Sequence, residues 1–183
     1  MEEEDRKRIE IFFREKTYNP GENSSLALLI NDIDRCFTSS ILYPGVIGIM
    51  TGIDLLAKFY DGKDSIKGVG QRFNNFLKDY FYLEEEEEKE YIYQLRNAML
   101  HSFGLFSKDD KDIIYRFKLR QDGEFISYCK RKEEEIDIFI NIWELKEKFN
   151  QAIYFYKKDL YDKEEILERF NKIEIKRYLQ TIK

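Results

Sequence analysis

Apolar positions in this chain repeat with the period of a helix over most of its length and with a period of two in one segment. A first helix reads from Glu2 to about Lys16, with Ile9, Phe12 and Phe13 inward and its acids ahead of its bases, as the helix dipole favours. Tyr18-Asn19-Pro20-Gly21 is a turn. Asn23, Ser24 or Ser25 caps a second helix through about Phe37, with Leu26, Leu29, Ile30, Ile33 and Phe37 inward. A third carries Pro44 in its first turn and runs to about Tyr60, where Asp61-Gly62 ends it. Gly45, Gly48 and Gly52 line one stripe of it, a groove for the close approach of another helix. A fourth runs from Ile66 to Tyr82, with Val69, Phe73, Phe76, Leu77 and Tyr80 at core spacing. The glutamates at 84–88 begin a fifth, whose apolar stripe is Ile92, Leu95, Met99 and Phe103 and whose end lies near Gly104.

After Ser107 the period becomes two. Ile113, Tyr115, Phe117 and Leu119 alternate with Ile114, Arg116, Lys118 and Arg120. Asp122-Gly123 is a hairpin signal, and a return strand from Phe125 to Lys130 then pairs Leu119 with Ile126 and Phe117 with Tyr128. In that register Arg120, Lys118 and Arg116 face Phe125, Ser127 and Cys129 on a basic outer face. A third strand, Ile136 to Ile140, pairs with the second through the polar turn at Arg131 to Glu135. Helices return from Trp143 to about Tyr161 and from Lys163 to about Leu179. The pattern predicts one mainly α domain over residues 1–183, a helical bundle interrupted at about 112–141 by an antiparallel β-hairpin or three-stranded meander.

Composition agrees and narrows the choice. A chain of 183 residues buries a substantial core, and 15 Phe, 13 Tyr and only two Pro suit a helical protein. The net charge of -5 argues against a non-specific nucleic-acid coat but leaves room for a local basic pocket. Cys36 and Cys129 stand in no metal or redox spacing and read as reduced, partly buried thiols. The N-terminus Met-Glu-Glu-Glu-Asp is not a signal peptide. The most apolar run, Ile41 to Met50, is too short for a membrane span, so a cytoplasmic protein is expected. One His and two distant Cys supply too few metal ligands, and no glycine-rich phosphate loop follows a strand, so neither metal nor cofactor is expected.

The candidate chemistry lies in the fifth helix, in Arg96-Asn97-Ala98-Met99-Leu100-His101, which holds the only histidine of the chain. Asn97 and His101 are four apart and share a face, with Gln94 on the same stripe, and the long side chain of Arg96 leans toward it. His101 falls in the last turn, where the negative end of the helix dipole favours its protonated form. This Arg-Asn-x-x-x-His order, late in a long amphipathic helix flanked by others, resembles the signature of the HEPN superfamily, all-helical proteins that include many metal-independent ribonucleases. The likeness covers the helical body and not the strand segment.

The resemblance implies an endoribonuclease that cleaves single-stranded RNA through the ribose 2'-hydroxyl, in a toxin or antiphage setting. His101 is then the acid/base, Arg96 the phosphate clamp and Asn97 the group that orients the phosphate or the imidazole. Acid and base on opposite sides of one phosphate ask for two histidines. The family usually supplies them from a two-fold homodimer, so a composite cleft between two copies is expected. Some members carry an acid in an earlier helix that contacts the motif, and Asp54 is the candidate. Arg72 adds a cation to the cleft or forms a surface ion pair, and Ser102 is a further supporting residue. Arg116, Lys118 and Arg120 with Phe125 either track RNA or form a solvated face. A nucleotidyltransferase-type antitoxin is the neutralising partner the likeness implies. The competing readings are a non-catalytic HEPN-like module that holds RNA, a nucleotide or a protein, and a plain helical scaffold.

Overall fold

Seven helices carry the fold in the computed structural model, which describes residues 1–13, 22–102 and 104–181. They are α1 (Glu3–Phe12), α2 (Ser25–Thr38), α3 (Leu42–Asp61), α4 (Val69–Phe81), α5 (Glu86–Ser102), α6 (Ile142–Asp162) and α7 (Glu164–Asn171). Two small sheets accompany them. The turn expected at residues 18–21 lies outside the described residues. Of the three capping candidates, Ser24 caps α2: its hydroxyl accepts from the Ala27 N–H at 3.0 Å and donates to the Phe12 carbonyl at 2.6 Å.

The axis of the bundle is α3, which packs against α2, α4, α5, α6 and α7. Its Val46, Ile49, Met50, Ile53, Leu56, Ala57 and Phe59 are fully buried. The glycine stripe seats two neighbours. A Cβ on Gly45 would stand 2.7 Å from the Phe37 ring, one on Gly48 would stand 2.7 Å from Ile33, and one on Gly52 would run into Phe149 of α6. By length and composition α3 also passes for a membrane span, against the expectation that no run is long enough. Half of that stretch is buried inside the protein.

Two helix boundaries differ from expectation for identifiable reasons. The fourth helix starts at Val69, because Gly68 takes a left-handed conformation (φ 73) and Ile66 is left 94% exposed in the loop. The last helix stops at Asn171 instead of running to Leu179. Ile173 and Ile175 are both buried, and residues two apart do not share a helical face. A 3-10 turn (Ile175–Tyr178) leads into the last strand instead, which returns to the start of α2.

That small sheet pairs β1 (Glu22–Ser24) with β6 (Leu179–Thr181). The larger contains β2 (Phe106–Lys108), β3 (Ile114–Arg120), β4 (Ile126–Lys132) and β5 (Glu135–Asn141) in the order β2-β3-β5-β4. The expected hairpin across Asp122-Gly123 does not form. β3 pairs in parallel with β5, with Phe117 opposite Ile138 and Lys118 opposite Phe139, and β4 is displaced to the edge. The expected turn between the second and third strands is present, with β4 antiparallel to β5. Burial explains the order. Ile136, Ile138 and Ile140 make β5 the most apolar strand, and it takes the centre. β4 ends in Lys130-Arg131-Lys132 and suits an edge, where charge blocks further pairing. The 121–125 connection crosses the end of β5 and is held by Asn141. Its N–H donates to the Phe125 carbonyl at 2.9 Å and its Nδ2 to the Gly123 carbonyl at 2.8 Å. Its Oδ1 accepts from the Trp143 and Glu144 N–H groups and so caps α6.

The division of faces expected for β3 holds. Tyr115 and Phe117 point inward with the three isoleucines of β5, while Arg116, Lys118 and Arg120 lie on the other face. Cys36 is half-buried and Cys129 is exposed on the outer strand, not partly buried as expected.

Candidate active site

The apolar stripe of α5 orients everything the site needs. Ile92, Leu95, Ala98 and Met99 are buried, which turns Arg96 and Asn97 to the flank and leaves His101 exposed in the last turn. Phe103, expected on the stripe, and the side chain of Ser102 lie outside the described residues. The Gly104 N–H donates to the Ala98 carbonyl at 3.1 Å and closes the helix end.

Arg96 is the hub. Its Nε and Nη2 donate to Oδ2 of Asp54, on α3, at 2.9 and 2.6 Å. Its Nη1 donates to Asn97 Oδ1 at 3.0 Å and stands 2.9 Å from Nε2 of His101. A guanidinium has no acceptor, so in this contact Nε2 is the accepting atom. The side chains of Arg96 and Asp54 are 12% and 20% exposed, so the ion pair is largely out of water while the imidazole is in it. Four of the five guanidinium N–H groups are engaged, and one on Nη2 has no partner among the described residues.

Structure thus brings Asp54, Arg96, Asn97 and His101 together. Asn97 accepts a hydrogen bond from the guanidinium through its Oδ1. Gln94, on the same stripe, has another task. It is 4% exposed, donates to Glu90 at 2.7 Å and accepts from the Ser107 hydroxyl, and so joins α5 to β2. Tyr93, which the sequence reading passed over, lies under Arg96 with its ring centroid 6.0 Å from the guanidinium carbon. The signal was its spacing of three from Arg96, which places neighbours on one helix face.

Arg72 makes no ion pair among the described residues. It is 5% exposed, and its Nη1 donates to the Lys67 carbonyl at 3.2 Å. With Asp54 and Arg96 it lines a cavity of about 470 Å³ between α3, α4 and α5. On the other flank of α5, Asn97 borders a larger cavity of about 760 Å³ whose walls include Glu86, Glu87, Glu90, Asp109 and Asp110.

The basic strand face is more neutral than its sequence. Lys118 and Arg131 both reach Asp137 at 2.8 Å, and Lys118, with Arg131, holds that carboxyl below the usual carboxylate range. Arg120 stacks on Phe139 at 3.7 Å and Arg116 lies over Phe106 at 5.6 Å. Phe125, expected opposite Arg120, lies instead beneath Lys148 of α6. The parallel pairing replaced the expected partners with the acids and aromatic of β5. Among the described residues no group of three or more His, Cys, Asp or Glu is placed to hold a metal ion. No family model matches this chain, and comparison with curated proteins and with solved structures found no match.

Proposed function

We propose that this protein is a cytoplasmic, metal-independent endoribonuclease of HEPN type, acting on single-stranded RNA in a toxin or antiphage setting. One observation carries the reading: a guanidinium anchored by a largely buried carboxylate stands 2.9 Å from Nε2 of an exposed histidine. The pair has what 2'-hydroxyl attack requires. A phosphate oxygen that docks on Arg96 accepts a hydrogen bond from the remaining Nη2 N–H and competes for Nη1. Nε2 is then released as a base toward the neighbouring ribose hydroxyl. The guanidinium stays against the phosphate as negative charge grows there. Asp54 and Asn97 hold it in place throughout. The leaving oxygen needs a protonated imidazole on the far side, which a second copy of the chain supplies across a two-fold axis. A nucleotidyltransferase-type antitoxin is the partner that fits the same setting.

The deciding experiment incubates the pure protein with RNA in EDTA. The expected result is cleavage that leaves a 2',3'-cyclic phosphate and that falls by about 10²–10⁴ in His101→Ala. His101 is exposed, so that variant keeps its fold. Unchanged cleavage in His101→Ala rejects the catalytic assignment, and binding without cleavage favours the RNA-holding module instead. Light scattering that finds only monomer at micromolar concentration rejects the composite cleft.

A further inference from the structure

Three charged residues are buried among the described residues: Lys89, Asp137 and Arg72. The first two have opposite charges in contact, Lys89 with Glu86 at 2.7 Å and Asp137 with Lys118 and Arg131. Arg72 has one hydrogen bond, to a backbone carbonyl, and no carboxylate among the described residues. A buried guanidinium without a counter-charge is costly, and a fold keeps one where an anion comes to meet it.

Its surroundings fit an anion. Arg72 lines the 470 Å³ cavity that also holds Arg96, within the size range of small-molecule sites. The two acids in that cavity's lining are engaged: Asp54 with Arg96, and Asp64 with Lys58 at 3.1 Å. The charge left over is that of Arg72. Val69, the first residue of α4, lines the same cavity. That helix end has no side-chain cap and no acid in its first turn, so its free N–H groups and positive dipole end add to the field. Apolar surface is present beside the cation. Leu55 and Val69 form part of the wall, and Ile66 stands 94% exposed at the rim.

From the unpaired Arg72, the uncapped α4 terminus and the apolar rim beside Arg96, we infer that this cavity is the subsite for the nucleotide next to the scissile phosphate. Arg72 binds the phosphate on that nucleotide's far side, and Ile66 and Val69 receive its base. The inference rests on the ribonuclease reading of the Arg96–His101 pair. It adds what that pair alone does not supply: a reason for the enzyme to prefer RNA longer than a dinucleotide.

The test compares RNAs that share one scissile step, from a dinucleotide to a pentanucleotide extended on either side, with the full-length wild type, Arg72→Gln and Arg72→Lys. The glutamine keeps an N–H for the Lys67 carbonyl and removes the charge, and the lysine keeps the charge. In the wild type, KM falls as the chain is extended on one side. In Arg72→Gln that gain is lost, about tenfold in KM, and Arg72→Lys retains part of it. Equal length dependence in all three proteins overturns the subsite while leaving the ribonuclease reading intact. A wild type that cleaves none of these RNAs overturns that reading. The subsite is then read from fluorescein-labelled pentanucleotide binding to His101→Ala. Affinity that drops, and a salt slope that shrinks by about one, on adding Arg72→Gln supports it, and unchanged binding overturns it.

Discussion

Replacing Asp54 by Ala removes the anchor of the site without touching the motif itself. Two N–H donors at 2.6 and 2.9 Å lose their acceptor, and a guanidinium whose side chain is 12% exposed keeps Asn97, His101 and the Tyr93 ring but no counter-charge. A hydrogen bond to a charged group contributes about 1.5–3 kcal/mol, and an ion pair broken from one side costs more than it contributed when whole. The carboxylate is 20% exposed, which moderates the figure, so about 2–3 kcal/mol is expected. For a chain of this size that corresponds to a Tm lower by about 4–12 °C. Urea unfolding followed by circular dichroism measures it. The diagnostic quantity is the coupling: Arg96→Ala in the Asp54→Ala background restores part of the loss, because the uncompensated charge is gone, with an interaction of about 1.5–3 kcal/mol. RNA cleavage by Asp54→Ala falls about a hundredfold as Arg96 and His101 lose their registration. Effects that add to within about 0.5 kcal/mol in the double variant refute the reasoning, since two residues that do not share an interaction behave that way.

Three further outcomes follow from the packing and the buried phenols. Gly52→Ala drives a methyl group into the Phe149 ring between α3 and α6 and lowers stability by about 1–3 kcal/mol in urea titrations; an unchanged midpoint contradicts the close approach. Asn141→Ala removes the cap of α6 and the tie to Gly123 together, so a loss of about 2 kcal/mol is expected, with the connection at 121–125 exchanging its amides faster. Burial, with the nearby Asp79, pushes the Tyr60 phenol up to about 12. A group raised in the folded state binds its proton more tightly there than in the unfolded chain. Its contribution is therefore complete below about pH 10 and fades as pH rises through about 12. Stability should fall with alkali over that window, and Tyr60→Phe should flatten the fall; an identical slope in the variant disproves the assignment.

Local order was legible in the chain. The helical stripe of α5 already sets Asn97 and His101 on one face and Arg96 beside them, because spacing along a helix is fixed by its own backbone. The glycine stripe of α3 announced close packing, and the alternation in β3 separated its inner and outer faces correctly. Pairing between elements was another matter. Asp122-Gly123 signals a hairpin, yet β3 neighbours β5, because the isoleucines of β5 gain more burial at the centre than β4 with its three terminal cations. That comparison is between strands, and no single turn contains it.

The same distinction governs the site. Arg96 and His101 are five residues apart and meet through one helix, whereas Asp54 lies 42 residues away and is chosen from many acids only by the crossing of α3 and α5. In sequence Arg72 read either as a cation of the cleft or as half of a surface ion pair, and only the packing shows it buried beside a cavity with no carboxylate against it among the described residues. What a few consecutive residues decide, the sequence states outright. What depends on which apolar faces win the interior is decided by the whole chain at once, because burial is a property of the assembled surface and not of any segment within it.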